Sequence, residues 1–333
     1  MEKLKVGVIG TGHLGKLHTK LFKQVEGCDF IGVYDKDIEK AKSVAEEFQV
    51  NYFQSIEELI NKVDAVSIVA TTSAHYELVK KAFENNKHVF VEKPITATIA
   101  EGEELVKIAE QKKLNFQVGH IERFNPALIS LDKYDLNPLF IQTDRLSQFN
   151  PRGTDVAVVL DLMIHDIDII LSLVKSEVAN LSASGVAVVS DTIDIANARL
   201  EFENGAVANV TASRISQKKM RKMRMFQRDT YITLDFITGV SEVYRLVSPG
   251  EIPENPFLSF GEIGVGERKK VVVYEQPEQK EINALQHELQ LFVNSVLNKT
   301  KPAVTGADGL KALKVAEMII QKIEESIARA KVN

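Results

Sequence analysis

Val6-Gly-Val-Ile9-Gly10-Thr-Gly12-His-Leu-Gly15 is the stretch whose reading decides the fold. A short apolar run reads as a buried strand, and the glycines that follow it open a helix. In that setting Gly10 permits a tight turn, Gly12 lets a pyrophosphate approach the backbone, and Gly15 lets the helix pack closely on the strand. The helix N-terminus then offers backbone donors to an anion. Asp35 ends the next strand-like run 20 residues after Gly15, where a carboxylate bonds the adenosine ribose hydroxyls and repels a 2′-phosphate. The reading is a dinucleotide site that prefers NAD to NADP, with Lys36 beside the acid softening that preference. Gly10, Gly12, His13, Leu14, Gly15 and Asp35 are the expected cofactor-binding residues of the first two strands. His13 reads as solvent-facing and not as a catalyst.

Outward from this loop, short apolar runs alternate with helical periodicity from Leu4 to Val118, the pattern of βα units in a doubly wound parallel sheet of the α/β class. Phe30–Tyr34, Ala65–Val69, His88–Val91 and Phe116–Val118 continue the strand series. Ser55-Ile-Glu-Glu58 and Thr98-Ile-Ala-Glu101 read as capping boxes at helix starts. The character changes near residue 122, which divides the chain into domains 1–121 and 122–333. Asn125-Pro126 reads as an N-cap followed by proline at the first helical position. A long helix is expected over 155–174. Beyond it, Asp194–Phe202 and Thr230–Phe236 alternate apolar with polar residues, as strands of an antiparallel or mixed sheet with helices on one face do. Two helices, 281–297 and 307–329, end the pattern.

The length of 333 residues fits two domains at roughly 100 to 200 residues each. A net charge of −5 argues against wholesale phosphate neutralisation, so nucleic acid is not an expected partner. Cys28 is the only cysteine, which excludes intrachain disulfides and cysteine-based metal frameworks and fits a reducing compartment. Met1 runs directly into a strand with no basic leader, and no stretch approaches the ~18 to 20 apolar residues of a membrane span. The expectation is a cytoplasmic chain with no membrane partner and no metal.

Val89-Phe-Val-Glu-Lys93-Pro94 places a lysine at the carboxyl end of a central strand, the edge where ligands bind in open α/β sheets. Pro94 restricts Lys93 to an extended or turn conformation. The expected long helix is apolar on nearly all sides, yet Asp161, His165 and Asp168 stand at i, i+4 and i+7 on one face. Polar groups in such a helix are costly to bury unless they are paired or open onto a cleft. Two readings stay open: a buried Asp–His pair, or an acid–base site in which Asp161 orients the His165 imidazole, a group suited to proton transfer near neutrality. Asp166 points about a quarter turn away and falls outside that face.

These residues carry a resemblance. The glycine fingerprint, Thr71-Thr-Ser-Ala-His75, Lys87-His-Val-Phe-Val-Glu-Lys93-Pro94, Val118-Gly-His-Ile-Glu-Arg-Phe124 and Asp161-x-x-x-His165 occur in this order, and Thr305-Gly-Ala-Asp308-Gly-Leu310 extends the match to the last helix. Together they resemble the glucose–fructose oxidoreductase / inositol dehydrogenase (Gfo/Idh/MocA) family. The resemblance implies a Rossmann domain, a second α/β domain with a large, open-faced, mostly antiparallel sheet, and homodimers or homotetramers assembled through that sheet. It also implies that Lys93 lies between nicotinamide and substrate, that Asp161 and His165 flank the reacting hydroxyl, and that Thr71, Thr72, His75 and Glu92 belong to the cofactor site. His120, Arg123, Phe124 and Asp168 are the implied substrate-side residues, with His75, Arg123 and Phe124 open to a scaffold role. Met163, Val158 and Val159 depart from the glycines many members carry there, so the pocket cannot be copied from the sugar or inositol enzymes.

The implied reaction is hydride transfer between nicotinamide and a secondary alcohol or ketone. His165 is the preferred base, with the Lys93 ammonium stabilising alkoxide charge; a desolvated Lys93 could itself take the proton. The spellings Val118–Pro126 and Asp161–Asp168 resemble the branch of the family that includes UDP-N-acetylglucosamine 3-dehydrogenases. That makes a sugar nucleotide the expected substrate, with free sugars, inositols and other cyclic alcohols as the alternative. Arg214 and the basic segment Lys218–Arg228 are candidate diphosphate partners or simply solvated charges. A non-catalytic NAD-responsive regulator would need the glycine loop and Asp35, but not Lys93, Asp161 and His165 together.

Overall fold

Five strands that are apolar along almost their whole length need cover on both faces, and the helices between them provide it. The computed structural model describes residues 3–150, 156–249 and 258–330. Its first series runs β1 (Leu4–Ile9), α1 (His13–Phe22), β2 (Cys28–Tyr34), α2 (Ile38–Phe48), α3 (Ile56–Ile60), β3 (Ala65–Ile68), α4 (Thr72–Glu84), β4 (His88–Glu92), α5 (Ile99–Lys112) and β5 (Phe116–Gly119). The strands form a wholly parallel sheet in the order β2-β1-β3-β4-β5. Chain direction across the sheet reverses between β1 and β3, which makes their carboxyl ends the switch point where a ligand crevice opens. Tyr52 adds a one-residue parallel bridge to Val33 outside β2.

Local chemistry sets the helix ends. Thr98 and Glu101 form the full capping box at the start of α5. The expected box at α3 is half made: the Ser55 hydroxyl accepts from the Glu58 N–H, but the Glu58 carboxylate takes the N–H of Gln54 and not that of Ser55.

The second series runs α6 (Pro126–Ile129), β6 (Phe140–Leu146), a π-helical turn (Val159–Met163), α7 (Ile164–Val174), β7 (Val178–Val186), β8 (Ile195–Phe202), β9 (Val207–Ser213), β10 (Met220–Gln227), β11 (Thr230–Asp235), β12 (Val240–Val247), β13 (Leu258–Ile263) and β14 (Lys270–Glu275). Asn125 caps α6 through its side-chain oxygen, with Pro126 at the first helical position. Nine strands pair in the order β13-β14-β12-β11-β10-β6-β9-β8-β7. Every neighbouring pair is antiparallel except β6 and β9. One face is apolar, with Ala196, Ala198, Val210, Met223, Met225, Ile232 and Val243 buried. The opposite face carries a row of rings directly opposite one another in register, Phe140, Phe226, Tyr231, Tyr244 and Tyr274, with successive centroids 4.6–5.9 Å apart. Phe226 is 41% exposed.

The single helix expected over 155–174 is instead a π turn followed by α7; its expected first residue, Asp155, lies outside the described residues. The last two helices are α8 (Ala284–Leu297) and α9 (Gly306–Ala330). Beside the expected division at residue 122, the units divide at Phe124/Asn125, and a later segment returns to the first of them. The chain forms one unit from Met1–Phe124 with Ile282–Lys314, and another from Asn125–Glu281 with Val315–Asn333. The reason is hydrophobic: Leu285, Leu289, Phe292 and Val293 of α8 join Val6, Val8, Phe22 and Phe90 in one buried cluster. The Val118 N–H also donates to the Val304 carbonyl. Among the described residues no helix is long and apolar enough to cross a membrane.

Candidate active site

In the first unit, the three loop glycines divide their tasks as their geometry requires. Gly10 has φ +99°, and a Cβ there would stand 2.5 Å from the Val69 carbonyl oxygen. A Cβ on Gly15 would fall 2.0 Å from the Gly10 carbonyl oxygen. Gly12 is different: a Cβ would meet nothing within 4 Å, so the loop opens there into space that a ligand can fill. Gly12 is also the N-cap of α1, with no side-chain cap and no acidic residue in the first turn, which leaves the helix's first N–H groups to an anion. His13 and Leu14 are exposed beside it.

Asp35 holds the loop from the side. Its Oδ2 accepts from the Thr11 N–H at 2.7 Å and from the Thr11 hydroxyl at 2.9 Å, and Oδ1 accepts from the Asp37 N–H at 2.9 Å. The carboxylate is thus fixed at the end of β2, beside the loop that follows β1. Thr71 occupies the N-cap position of α4, without a side-chain cap bond, and Thr72 begins the helix, placing both just beyond β3. Glu92 ends β4 and Lys93 follows, half-buried, joined to Pro94 by a cis peptide bond. These residues fit a dinucleotide laid across the carboxyl edge: an open glycine, bare helix donors and an anchored acid.

In the second unit, Asp161 lies within the π turn and His165 one residue into α7, each half-buried. Wide turns of this kind are over-represented at functional sites. Asp168 is buried. Asp166, read from the sequence as outside the site, has a defined structural task. The Arg145 guanidinium of β6 grips its carboxylate with both arms, Nε to Oδ2 at 2.9 Å and Nη2 to Oδ1 at 2.7 Å, and both side chains are buried.

The comparisons agree over the full chain. Residues 4–120 match the family model described as an oxidoreductase family with NAD-binding Rossmann fold, and residues 138–232 match the GFO/IDH/MocA C-terminal domain. A UDP-N-acetylglucosamine 3-dehydrogenase from Acidithiobacillus ferrooxidans is 32% identical over 330 residues, covering 99% of this chain and all of that protein. The chain belongs to the Gfo/Idh/MocA family. A solved structure of the Acidithiobacillus enzyme superposes with a TM-score of 0.86 over 98% of this chain and 99% of that one. A scyllo-inositol 2-dehydrogenase (NAD(+)) from Bacillus subtilis is 30% identical over 234 residues, 65% of this chain and 68% of that protein. This Gfo/Idh/MocA member is an NAD-dependent oxidoreductase.

Several residues that the resemblance implied for the ligand sites are buried or half-buried within the first unit. His75 is buried, with Nδ1 2.9 Å from the Pro94 carbonyl and Nε2 3.2 Å from the Ala70 carbonyl. Burial holds its imidazole below the usual range. A neutral imidazole has one N–H, so His75 donates to one of these carbonyls and packs against the other, beside the Lys93–Pro94 turn. Phe124 is buried edge-on against His287 of α8, and His120 is buried as well, so both belong to the interior of the first unit; Arg123 is half-buried beside them.

Arg214 lies within the second unit. It is buried, with Nε 3.7 Å from Asp194 Oδ1 and Nη2 donating to the Val156 carbonyl. Asp194 also accepts from the N–H groups of Val188, Val189 and Ser190 and from the Ser190 hydroxyl. Burial opposes the Asp194 charge, yet those bonds bring its carboxyl down to about 2. The guanidinium read from the sequence as a candidate diphosphate partner or a solvated charge is engaged inside the fold. In the basic segment, Lys222 and Arg224 stand on the ring-bearing face, with Lys222 3.5 Å from Asp235. Arg221 has the opposite parity and pairs in register with Arg145, on the face that carries α7.

Sequence reasoning missed His18, a buried residue on α1 whose ring nitrogens lie against Ser67 and Glu92. The signal was present: His18 falls in the helical row of Leu21 and Phe22, where an apolar residue is expected.

Proposed function

We propose that this chain transfers a hydride between NAD and a ring secondary alcohol of a nucleotide-linked N-acetylhexosamine, the 3-hydroxyl of UDP-N-acetylglucosamine in the first instance. The observation that carries this reading is the end-to-end 32% identity with the Acidithiobacillus UDP-N-acetylglucosamine 3-dehydrogenase. Bound NAD supplies the hydride acceptor. The glycine loop and the bare N-terminus of α1 bind its pyrophosphate, and Asp35 binds the adenosine ribose. His165 takes the hydroxyl proton, with Asp161 fixing the imidazole, and the Lys93 ammonium stabilises the developing alkoxide charge. Arg221, on the α7 face of the second sheet, is the member of the basic segment best placed to meet a diphosphate. Copies of the chain associate through the ring-bearing face of that sheet, whose aromatic row supplies apolar area for burial.

The test is a panel. Purified protein is mixed with NAD and, in turn, UDP-N-acetylglucosamine, free N-acetylglucosamine and inositols, while absorbance of the reduced cofactor is followed. The nucleotide-linked sugar is expected to give the highest kcat/KM, because binding energy from the remote nucleotide orients the reacting carbon. Equal kcat/KM for the free and UDP-linked sugar overturns the substrate assignment. Activity on inositol with none on any sugar nucleotide would instead establish the reading favoured by the partial match to the Bacillus inositol enzyme.

A further inference from the structure

His18 stands three residues after Gly15 on α1 and is fully buried. Its Nδ1 lies 2.9 Å from Ser67 Oγ on β3, and its Nε2 lies 3.0 Å from Glu92 Oε1 at the end of β4. The ring is edge-on to Phe90 and tilted against Phe22. One imidazole therefore ties together the helix whose N-terminus offers donors to an anion, the strand beside the switch point, and the strand end that carries Lys93.

A leucine would fill that space without polar groups to satisfy, so the imidazole is costly unless both contacts are used. A single neutral tautomer uses both: the Ser67 hydroxyl donates to Nδ1, and Nε2–H donates to the Glu92 carboxylate. Glu92 is confined from its other side too. A Cβ on Gly119 would stand 2.9 Å from Glu92 Cδ and Oε2, so the glycine leaves room for the carboxylate in this pose. The Glu92 side chain is 14% exposed, an almost enclosed acid at the ligand-binding edge. The strand order gives it a direction. With adenosine at Asp35 on β2 and pyrophosphate at the loop after β1, the nicotinamide half of the dinucleotide extends toward β3 and β4.

We propose that His18 is a positioning residue for the dinucleotide site: it fixes the Glu92 carboxylate so that its charge favours the oxidised, cationic nicotinamide over the reduced, neutral one. The inference rests on the glycine loop being the NAD site. Losing the imidazole frees the carboxylate from its pose and lowers the ratio of NAD+ to NADH affinity, with KM for the alcohol little changed.

The experiment is calorimetric titration of the full-length protein with NAD+ and, separately, NADH, for the parent, His18→Leu, His18→Gln, His18→Asn, Glu92→Gln and the His18→Leu/Glu92→Gln double variant. A parent that binds neither form refutes the cofactor reading itself. Given a binding parent, His18→Leu and Glu92→Gln should each weaken NAD+ by about tenfold, as loss of a hydrogen bond to a charged group does, with a smaller effect on NADH. The double variant should be no worse than Glu92→Gln alone. His18→Gln, whose amide can donate from the Nε2 position, should recover most of the parent's ratio, and His18→Asn, whose donor sits nearer Nδ1, should not. A parental NAD+/NADH ratio in His18→Leu, or losses that add fully in the double variant, overturns the proposal. If His18→Leu fails to fold, equal ratios in the Gln and Asn variants overturn it just as directly.

Discussion

In the first unit the polar groups of the site stand at strand ends and loops and are held largely by backbone: Gly10 and Gly15 by the space they lack, Asp35 by the N–H groups of Thr11 and Asp37. In the second unit Arg145 and Asp166 of α7 hold one another, while Asp194, beside Arg214, is held by the N–H groups of Val188, Val189 and Ser190. The contrast separates two uses of buried polarity. Asp35, fixed by backbone at a strand end, remains open to a ligand, whereas the closed pair of Arg145 and Asp166 holds an architecture. Asp161 and His165 lie among the second kind yet are assigned the tasks of the first, so they are where the comparison can be broken.

The largest effect is expected there. His165→Asn should lower kcat by about 10² to 10⁴, the usual contribution of a general base, while leaving the melting temperature and NAD affinity near the parent's. Lys93→Met should cost at least as much turnover. A His165→Asn protein that unfolds, beside a fully active Lys93→Met, would move His165 into the class of closed pairs. Next in size is Asp166→Ala, which removes the carboxylate that grips the buried Arg145 guanidinium. Removing one partner of a buried pair costs about 3 to 5 kcal/mol, read as a fall in the urea midpoint with no change in the slope.

How much of this was legible follows the same contrast. The glycine loop could be read because a tight turn, a ligand approach and a close helix contact each demand glycine at a fixed spacing; Asp35, the Thr98–Glu101 box and the Asn125 cap are local in the same sense. Arg145 and Asp166 are 21 residues apart and Arg214 and Asp194 are 20 apart, and nothing in the intervening sequence names the partner, so Arg214 read as a free cation. The π turn at Val159–Met163 was invisible because its residues satisfy the 3.6-residue period equally well. The apolar face of α8 could be seen, but not which sheet it covers.

A smaller effect sharpens the cofactor side of the comparison. Asp35→Ser should shift the NAD-to-NADP affinity ratio by about tenfold, or about 1.4 kcal/mol, because it removes the charge that opposes a 2′-phosphate. Parallel titrations with the two cofactors check it, and a parent that prefers NADP would overturn the assignment of Asp35. A further effect concerns pH. The Asp194 carboxyl titrates at about 2 in the folded chain against an ordinary 3.8. A depressed folded value means stability that is present above about 3.8 and lost as pH falls toward 2. The stability advantage of the parent over Asp194→Asn should therefore narrow across that window in acid titrations followed by circular dichroism, and an advantage constant down to pH 2 would refute it.

The return of Ile282–Lys314 to the first unit has a consequence for how the protein is made. A ribosome delivers β1 to β5 early, but the helix that completes their hydrophobic cluster, with Leu285, Leu289, Phe292 and Val293, emerges only after all nine strands of the second sheet. Domains generally fold as units during synthesis, N-terminal first. Here the earlier unit waits for the later one, its Val6, Val8 and Phe90 short of their full cover while more than 150 further residues are translated. A nascent chain halted before residue 282 should be a client for chaperones, and expression of residues 1–124 alone should yield aggregate where the whole chain folds.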